Sequence, residues 1–180
     1  MQQLTLIALV ENKPGVLNRV ASLFRRRNFN IESLNVGRTE KPDISRMTIV
    51  LENGNVDARK AEANLYKLVN VIDVQDVTNQ PAVTRDLALI KVSATSEQRA
   101  EIANLASIFR ARIVDVAPDS VIVEITGTED KIEGLIELLS PMGILEMVRT
   151  GQVAMMRGTA TGIRYAPRGN GHQSGDNSHG

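Results

Sequence analysis

At 180 residues the chain exceeds one average domain and could hold one large domain or two small ones. A 42% hydrophobic content is ordinary for a soluble fold, and 21 basic against 21 acidic residues leave no net charge, removing the footprint of general nucleic-acid binding. Cysteine is absent, which excludes disulfides, thiolate metal sites and thiol catalysis, and no apolar run approaches membrane-spanning length.

Leu4–Val10 (LTLIALV) is an apolar run that predicts a buried strand. Asn12-Lys13-Pro14-Gly15 breaks it, with Pro14 expected at the first position of a helix. Leu17, Val20, Ala21 and Phe24 then fall at i, i+3, i+4 and i+7, the spacing of one apolar helical stripe. Arg25-Arg26-Arg27-Asn28 ends that helix with positive charge suited to its C-terminus. Asn30–Arg38 predicts a second strand, with Ile31, Leu34 and Val36 as its apolar members, and Met47–Leu51 a third beyond the turn at Pro42-Asp43. Asp57 can cap a second helix carrying Ala61, Leu65 and Leu68 on one face, and Val71–Val77 supplies a fourth strand.

After Asn79-Gln80-Pro81 the same order returns. Leu87–Val92 predicts a strand; Ile102, Leu105, Ala106 and Phe109 a helical stripe; Ile113–Val116 and Val121–Ile125 two short strands. Ile132, Leu135, Ile136 and Leu139 form a second stripe, and Ile144–Val148 closes the unit. Even the words Leu23-Phe24-Arg25 and Ile108-Phe109-Arg110 recur. The fold class is therefore α+β, two tandem ferredoxin-like βαββαβ domains over residues 1–80 and 81–158, each a four-stranded antiparallel sheet with two helices on one face. From Gly169 onward Gly, Asn, Ser and His dominate, so a disordered tail is expected over residues 159–180. Both histidines, His172 and His179, lie in that stretch, which leaves the body without a histidine base or metal ligand.

This fold hosts RNA-binding modules, small enzymes and ligand-sensing domains. The third strand, Arg46-Met47-Thr48-Ile49-Val50-Leu51, has no aromatic residue for base stacking, which argues against an RNA module. There is neither a phosphate loop nor a dinucleotide fingerprint, and the acids Glu11, Glu32 and Asp43 have no partner at catalytic spacing. Catalytic and metal-ligating residues are therefore assigned to none.

The informative stretch is Glu11–Leu17 (ENKPGVL), between the first strand and first helix. Gly15 lets a ligand approach the backbone, and the amides of Gly15, Val16 and Leu17 would leave a helix N-terminus able to hold a carboxylate. Asn12 could accept from an ammonium group or cap the helix. The same residues also suit a plain strand-to-helix turn. The second repeat favours the anion site, because Ala94-Thr95-Ser96-Glu97-Gln98 makes the equivalent connection with an ordinary capping sequence and no Pro-Gly.

The stretch from Glu11 to Val20 resembles the ligand loop of the ACT domain family. Phe29-Asn30-Ile31-Glu32-Ser33-Leu34, followed by Ser45-Arg46-Met47-Thr48-Ile49, resembles more specifically the regulatory small subunits of acetolactate synthase (acetohydroxyacid synthase). The resemblance runs to about Arg157 and includes Ile113-Val114-Asp115-Val116. It implies a non-catalytic, cytoplasmic subunit of branched-chain amino-acid synthesis with no cofactor of its own. Its partner would be a catalytic subunit holding thiamine diphosphate, magnesium and FAD, which it would activate and make sensitive to valine. It implies pairing of two ACT domains, with Asn12, Pro14, Gly15, Val16 and Leu17 of one chain and Asn30 and Ile31 of the other around the effector. Read alone, Asn30 is equally a turn residue. Asn18 departs from the family, standing where many relatives carry a small serine or alanine, which bears on pocket shape. An ACT sensor serving another enzyme, or a small ferredoxin-like enzyme, is the competing expectation.

Overall fold

The run that opens the chain becomes β1 (Gln3–Glu11), whose Leu4, Leu6, Ala8 and Val10 join one core while Ile7 and Leu9 are buried on the opposite face. A strand buried on both faces reads as continuous rather than alternating hydrophobicity, which is how this one reads. The structure, a computed structural model, describes residues 3–52 and 57–158. The expected disordered tail at 159–180, with both histidines, lies outside the described residues.

Helix α1 (Val16–Arg26) follows, then β2 (Ile31–Arg38), β3 (Ile44–Glu52), α2 (Ala58–Leu65) and β4 (Val71–Asp76). The strands pair antiparallel in the order β2-β3-β1-β4, so β2 is an edge. Helix α1 buries Val16, Val20, Leu23 and Phe24, not the expected stripe through Leu17, which is 46% exposed. Both sets satisfy a 3.6-residue period; the helix takes the one that includes Leu23. Its end is a complete Schellman cap. Asn28 takes the left-handed φ of 56°, its N–H donates to Arg25 O, and Phe29 N–H donates to Phe24 O at 3.0 Å. The accompanying apolar contact is Phe29 against Phe24, ring centroids 5.6 Å apart. Asp57 caps α2 as expected, accepting from Arg59 N–H at 3.0 Å.

The second half repeats the arrangement with β5 (Ala82–Ser93), α3 (Gln98–Ile108), β6 (Arg112–Val116), β7 (Ser120–Gly127), α4 (Glu129–Leu139) and β8 (Ile144–Arg149), ordered β6-β7-β5-β8. Its α3 ends in the same cap, with Arg110 at φ 52° and Ala111 N–H donating to Ala106 O at 2.7 Å. The caps show that the recurring words are not equivalent positions: Phe24 lies inside α1 at the residue that receives the cap bond, whereas Phe109 is the C-cap of α3.

Ile144–Val148 closes the second βαββαβ unit as β8, as expected, but the chain then continues. A further strand, β9 (Val153–Met156), pairs with the first third of β5, Ala82 against Met156 and Arg85 against Val153. Its Ala154 packs with Ile7 and Val77, flanked by Ala82 and Met156, on the helix-free face of the first sheet. That face is thus covered by the second half of the chain.

The two readings of α1 separate experimentally. Phe24→Ala should cost about 3–5 kcal/mol as a large core truncation. Leu17→Ala should stay within about 0.5 kcal/mol, as for an exposed site. Denaturant unfolding of the purified chain measures both, and a large loss at Leu17 would restore the rejected stripe.

Candidate functional site

Strand β1 brings the chain to Glu11 at one end of the first sheet, and α1 carries it away from Val16. Between them Lys13–Val16 forms a β-turn, Val16 N–H donating to Lys13 O at 3.4 Å. Gly15 has φ 82° and ψ −7°, the angles of the third residue of a type II turn, and Pro14 holds the second place that such turns favour. Pro14 is therefore one residue before the helix cap rather than at the first helical position. The left-handed Gly15 is itself the N-cap, and a Cβ built on it meets nothing within 4 Å. Glycine is required there for its φ, and the space beside it is open.

Of the three amides expected to point outward, Gly15 and Leu17 donate to nothing among the described residues, while Val16 closes the turn. The Asn18 amide takes the third free place, because helical bonding begins with Arg19 N–H to Gly15 O at 3.0 Å. Among the described residues no side chain caps α1. Asn12, expected as a cap or an acceptor, anchors the loop instead. Its N–H donates to Asp43 O at 2.7 Å and its Nδ2 to Pro42 O at 2.9 Å. That leaves Oδ1 facing no donor among the described residues. The side chain of Val16 is buried in the core, so only its backbone borders the loop.

A brace that the sequence did not disclose supports the loop from the other side. Arg19 Nη1 donates to Asn70 Oδ1 at 2.6 Å, Asn70 Nδ2 donates to Glu11 Oε2 at 2.5 Å, and Lys13 Nζ lies 3.1 Å from the same oxygen. Asn70 sits in the turn before β4, at no distinctive spacing from the loop. These partners, Asn70 first and Lys13 second, hold the Glu11 carboxyl below its ordinary value against a smaller opposing effect of burial.

The remaining expected residues are elsewhere. Asn30 and Ile31 begin β2, where Ile31 pairs with Leu51, itself opposite Leu4 at the far end of β1. Eight residues of extended chain, roughly 26 Å, separate that end from the loop. Asn30 Nδ2 donates to Glu52 Oε2 at 2.6 Å and its carbonyl accepts from Glu52 N–H, so it ties the entry of β2 to the end of β3, with Oδ1 unused among the described residues. One chain therefore does not bring the two halves of the candidate site together. The end of β2 does approach the loop: Arg38 pairs with Ser45, next to the Asp43 carbonyl that holds Asn12. There Val36 on the edge strand is 43% exposed, opposite Met47 and hence on the side that carries α1 and its exposed Leu17.

The second half makes the equivalent connection with side-chain bonds that the first half lacks. Thr95 and Gln98 bond reciprocally, Gln98 N–H to Thr95 Oγ1 at 3.3 Å and Thr95 N–H to Gln98 Oε1 at 3.0 Å, a capping box that closes the start of α3. The candidate acids are not assembled either: Glu11 is in the brace, while Glu32 accepts from Gln3 Nε2 at the opposite end of the sheet. Among the described residues no cluster of His, Cys, Asp or Glu is placed to hold a metal ion, and no helix is long and apolar enough to cross a membrane.

Comparison with known proteins finds matches over both halves of the chain. Residues 6–73 match the model of the AHAS small subunit-like ACT domain, and residues 85–158 that of the small subunit of acetolactate synthase. The chain is 55% identical to a probable acetolactate synthase small subunit of Archaeoglobus fulgidus over 154 residues, 86% of this chain and 96% of that one. It is 48% identical to the acetolactate synthase small subunit of Bacillus subtilis, over 83% of this chain and 88% of that one. The crystal structure of the acetolactate synthase small subunit from Thermotoga maritima superposes with a TM-score of 0.81 at 41% identity, covering 88% of this chain and 99% of that one.

The Glu11 brace gives a signed pH dependence. Its carboxyl is lowered on folding, so its stabilisation is present above its ordinary value of 4.5 and is lost as pH falls through the lower folded value. Glu11→Gln should therefore melt below the wild-type chain at pH 7, with the gap closing as both are taken well below pH 4.5. A gap independent of pH would show that the brace does not depend on the charge.

Proposed function

Since this chain belongs to the acetolactate synthase small-subunit family, we propose that it activates the catalytic subunit of that enzyme and confers feedback inhibition by valine. The observation that carries the reading is the open α1 terminus: three amides without partners among the described residues, beside a left-handed glycine with free space, where the second domain has a closed capping box. Such a terminus favours a carboxylate through its donors and its partial positive charge. The free Oδ1 of Asn12 suits an ammonium group, and the exposed Leu17 and Val36 suit a branched side chain. Valine carries all three groups.

Pairing of chains completes the pocket in this reading. Antiparallel apposition of the edge strand β2 with β2 of a second copy sets Asn30 and Ile31 of one chain beside Arg38 of the other, and so near the other's Asn12–Gly15 loop. The chain itself performs no chemistry; thiamine diphosphate, magnesium and FAD reside in the catalytic partner, and both subunits work in the cytoplasm. An effector bridging two chains acts by binding one arrangement of the dimer better than another, since only a difference in affinity shifts a population.

Calorimetric titration with valine, leucine and isoleucine, using glutamate as control, tests the pocket. Gly15→Asp keeps a residue that tolerates a left-handed backbone but adds a fixed charge at the amides. It should weaken valine binding at least tenfold, about 1.4 kcal/mol, and abolish inhibition of the reconstituted holoenzyme while sparing activation. The uncharged Gly15→Asn should retain much more. Full sensitivity in Gly15→Asp would move the anion site elsewhere. Asn30→Ala should lower affinity with the dimer intact; unchanged affinity would refute a pocket shared between chains.

A further inference from the structure

The segment from Arg149 to Met156 has no part in the effector loop, yet it joins the two halves of the molecule. After β8 the chain crosses, at Thr150–Gln152, onto the helix-free face of β2 and β3 before entering β9. Asn35, midway along β2, donates through Nδ2 to the carbonyls of Thr150 at 2.8 Å and Gln152 at 3.1 Å, gripping the segment on both sides of Gly151. Gly151 has φ 75°, and a Cβ there would lie 2.6 Å from Cβ of Ser33, so glycine is required both for the backbone and for the approach. Further along, Arg46 Nη2 donates to Ala154 O at 2.7 Å and Ala154 N–H donates to Thr48 Oγ1 at 3.4 Å.

The other end is fixed to the second domain. The Arg149 guanidinium donates to Asp86 Oδ2 through Nε at 3.0 Å and Nη2 at 2.7 Å, and to Glu133 on α4. Burial alone would weaken its charged form, but these two carboxylates reverse the effect and hold it above its ordinary value. Thr150 Oγ1 also donates to the buried Asp86 at 3.0 Å. A cavity of about 350 Å³ lies beneath the crossing, lined by Glu32, Ser33 and Leu34 on one side and by Asp86, Glu129 and Gln152 on the other.

We propose that Arg149–Met156 is the strap through which effector occupancy at the β2 edge reaches the second domain, an inference that rests on the effector site proposed above. Strand β2 is the edge at which that site is shared between chains, and Asn35 lies on the same strand. A shift of β2 either drags the strap or breaks the two bonds at Asn35. Its far end is held by Arg149, so a drag is delivered to β5, β8 and α4. The half-open cleft against the crossing leaves space beside it. These contacts supply a contiguous element between the two sites, and the variants below test whether both sites bias its arrangement.

Two variants of the full-length chain test it. Asn35→Ala removes the grip by cutting the carboxamide back to a methyl, and Gly151→Ala drives a methyl into Ser33. Scanning calorimetry reads mechanical coupling without any effector: one cooperative transition is expected for the wild type and two for each variant. Titration with valine should give affinities within about twofold of wild type. The valine-induced change in amide exchange across β8 and β9 should disappear, and maximal inhibition of the reconstituted holoenzyme should fall by more than half. A single transition kept in Asn35→Ala, or full exchange response and full inhibition in that variant, overturns the strap. Absence of branched-chain amino-acid binding by the wild type overturns the effector reading instead, and the calorimetric comparison still decides whether the strap couples the domains.

Discussion

Ile7 is fully buried on the face of β1 that carries no helix, and that single placement organises the rest of the molecule. A four-stranded sheet with two helices on one side leaves its other side to water unless something is laid across it. Burying an isoleucine there is worth about 1.5–3 kcal/mol, and here Ala154, Val77, Ala82 and Met156 provide the cover. The cover must come from far along the chain, because α1 and α2 are committed to the first core. Strand β5 is accordingly twelve residues long, its first third paired with β9 and the remainder serving the second sheet. The outward side chains of β3 are matched to that neighbour: Arg46 and Thr48 meet the backbone of Ala154. The two domains are therefore not beads on a linker: the β5–β9 ribbon of the second packs on the sheet of the first.

The two copies of the fold show what was exchanged for an open site. At the start of α3 a threonine and a glutamine satisfy each other's amides, the arrangement that stabilises a helix terminus. At the start of α1 the corresponding donors are left exposed, and the chain needs a proline and a left-handed glycine to turn into the helix at all. Stability lost at the terminus is offset nearby by the brace of Glu11, Arg19 and Asn70 and by the two bonds from Asn12 to the β2–β3 turn. A loop held from both sides with free amides between the supports is preorganised, so a ligand need not order it.

The order of elements was legible because each core stripe and each turn residue points the same way as the fold. The loop was legible in outline from Pro14-Gly15, but the sequence could not say whether Pro14 opened the helix or preceded it. That depends on the φ of Gly15, which no neighbouring residue type specifies. Choosing Leu17 over Leu23 for the buried stripe had a similar cause: both fit the period, and only the direction from which β2 and β3 pack selects one. Strand β9 was missed because four residues carry no pattern of their own and its partner lies far off in sequence. A clue was nevertheless present. Five consecutive apolar residues in β1, Leu6–Val10, require cover on both faces, and two helices on one face cannot supply it. Asn70 and Asn35, by contrast, gave no signal, since an asparagine's partners are set wholly by tertiary placement.

The two outer edges differ in a way that bears on assembly. Both β2 and β6 carry an irregularity near their start, between Ile31 and Ser33 in one and between Ile113 and Asp115 in the other. Beyond it β2 runs on in register from Ser33 to Arg38, whereas β6 has only Asp115 and Val116 before its turn. A bulge with almost no strand after it protects an edge, because it leaves too few aligned amides and carbonyls to template another chain. The longer β2 keeps that template, and Val36 adds an exposed apolar side chain to it. The proposed pairing through β2 thus has a physical basis independent of the effector. One repeat retains an open loop and an extendable edge; the other has a side-chain-capped loop and a short edge, and its exposed apolar residues lie along β6 (Ile113, Val114, Val116) as well as along β8 and β9 (Leu145, Val148, Met155).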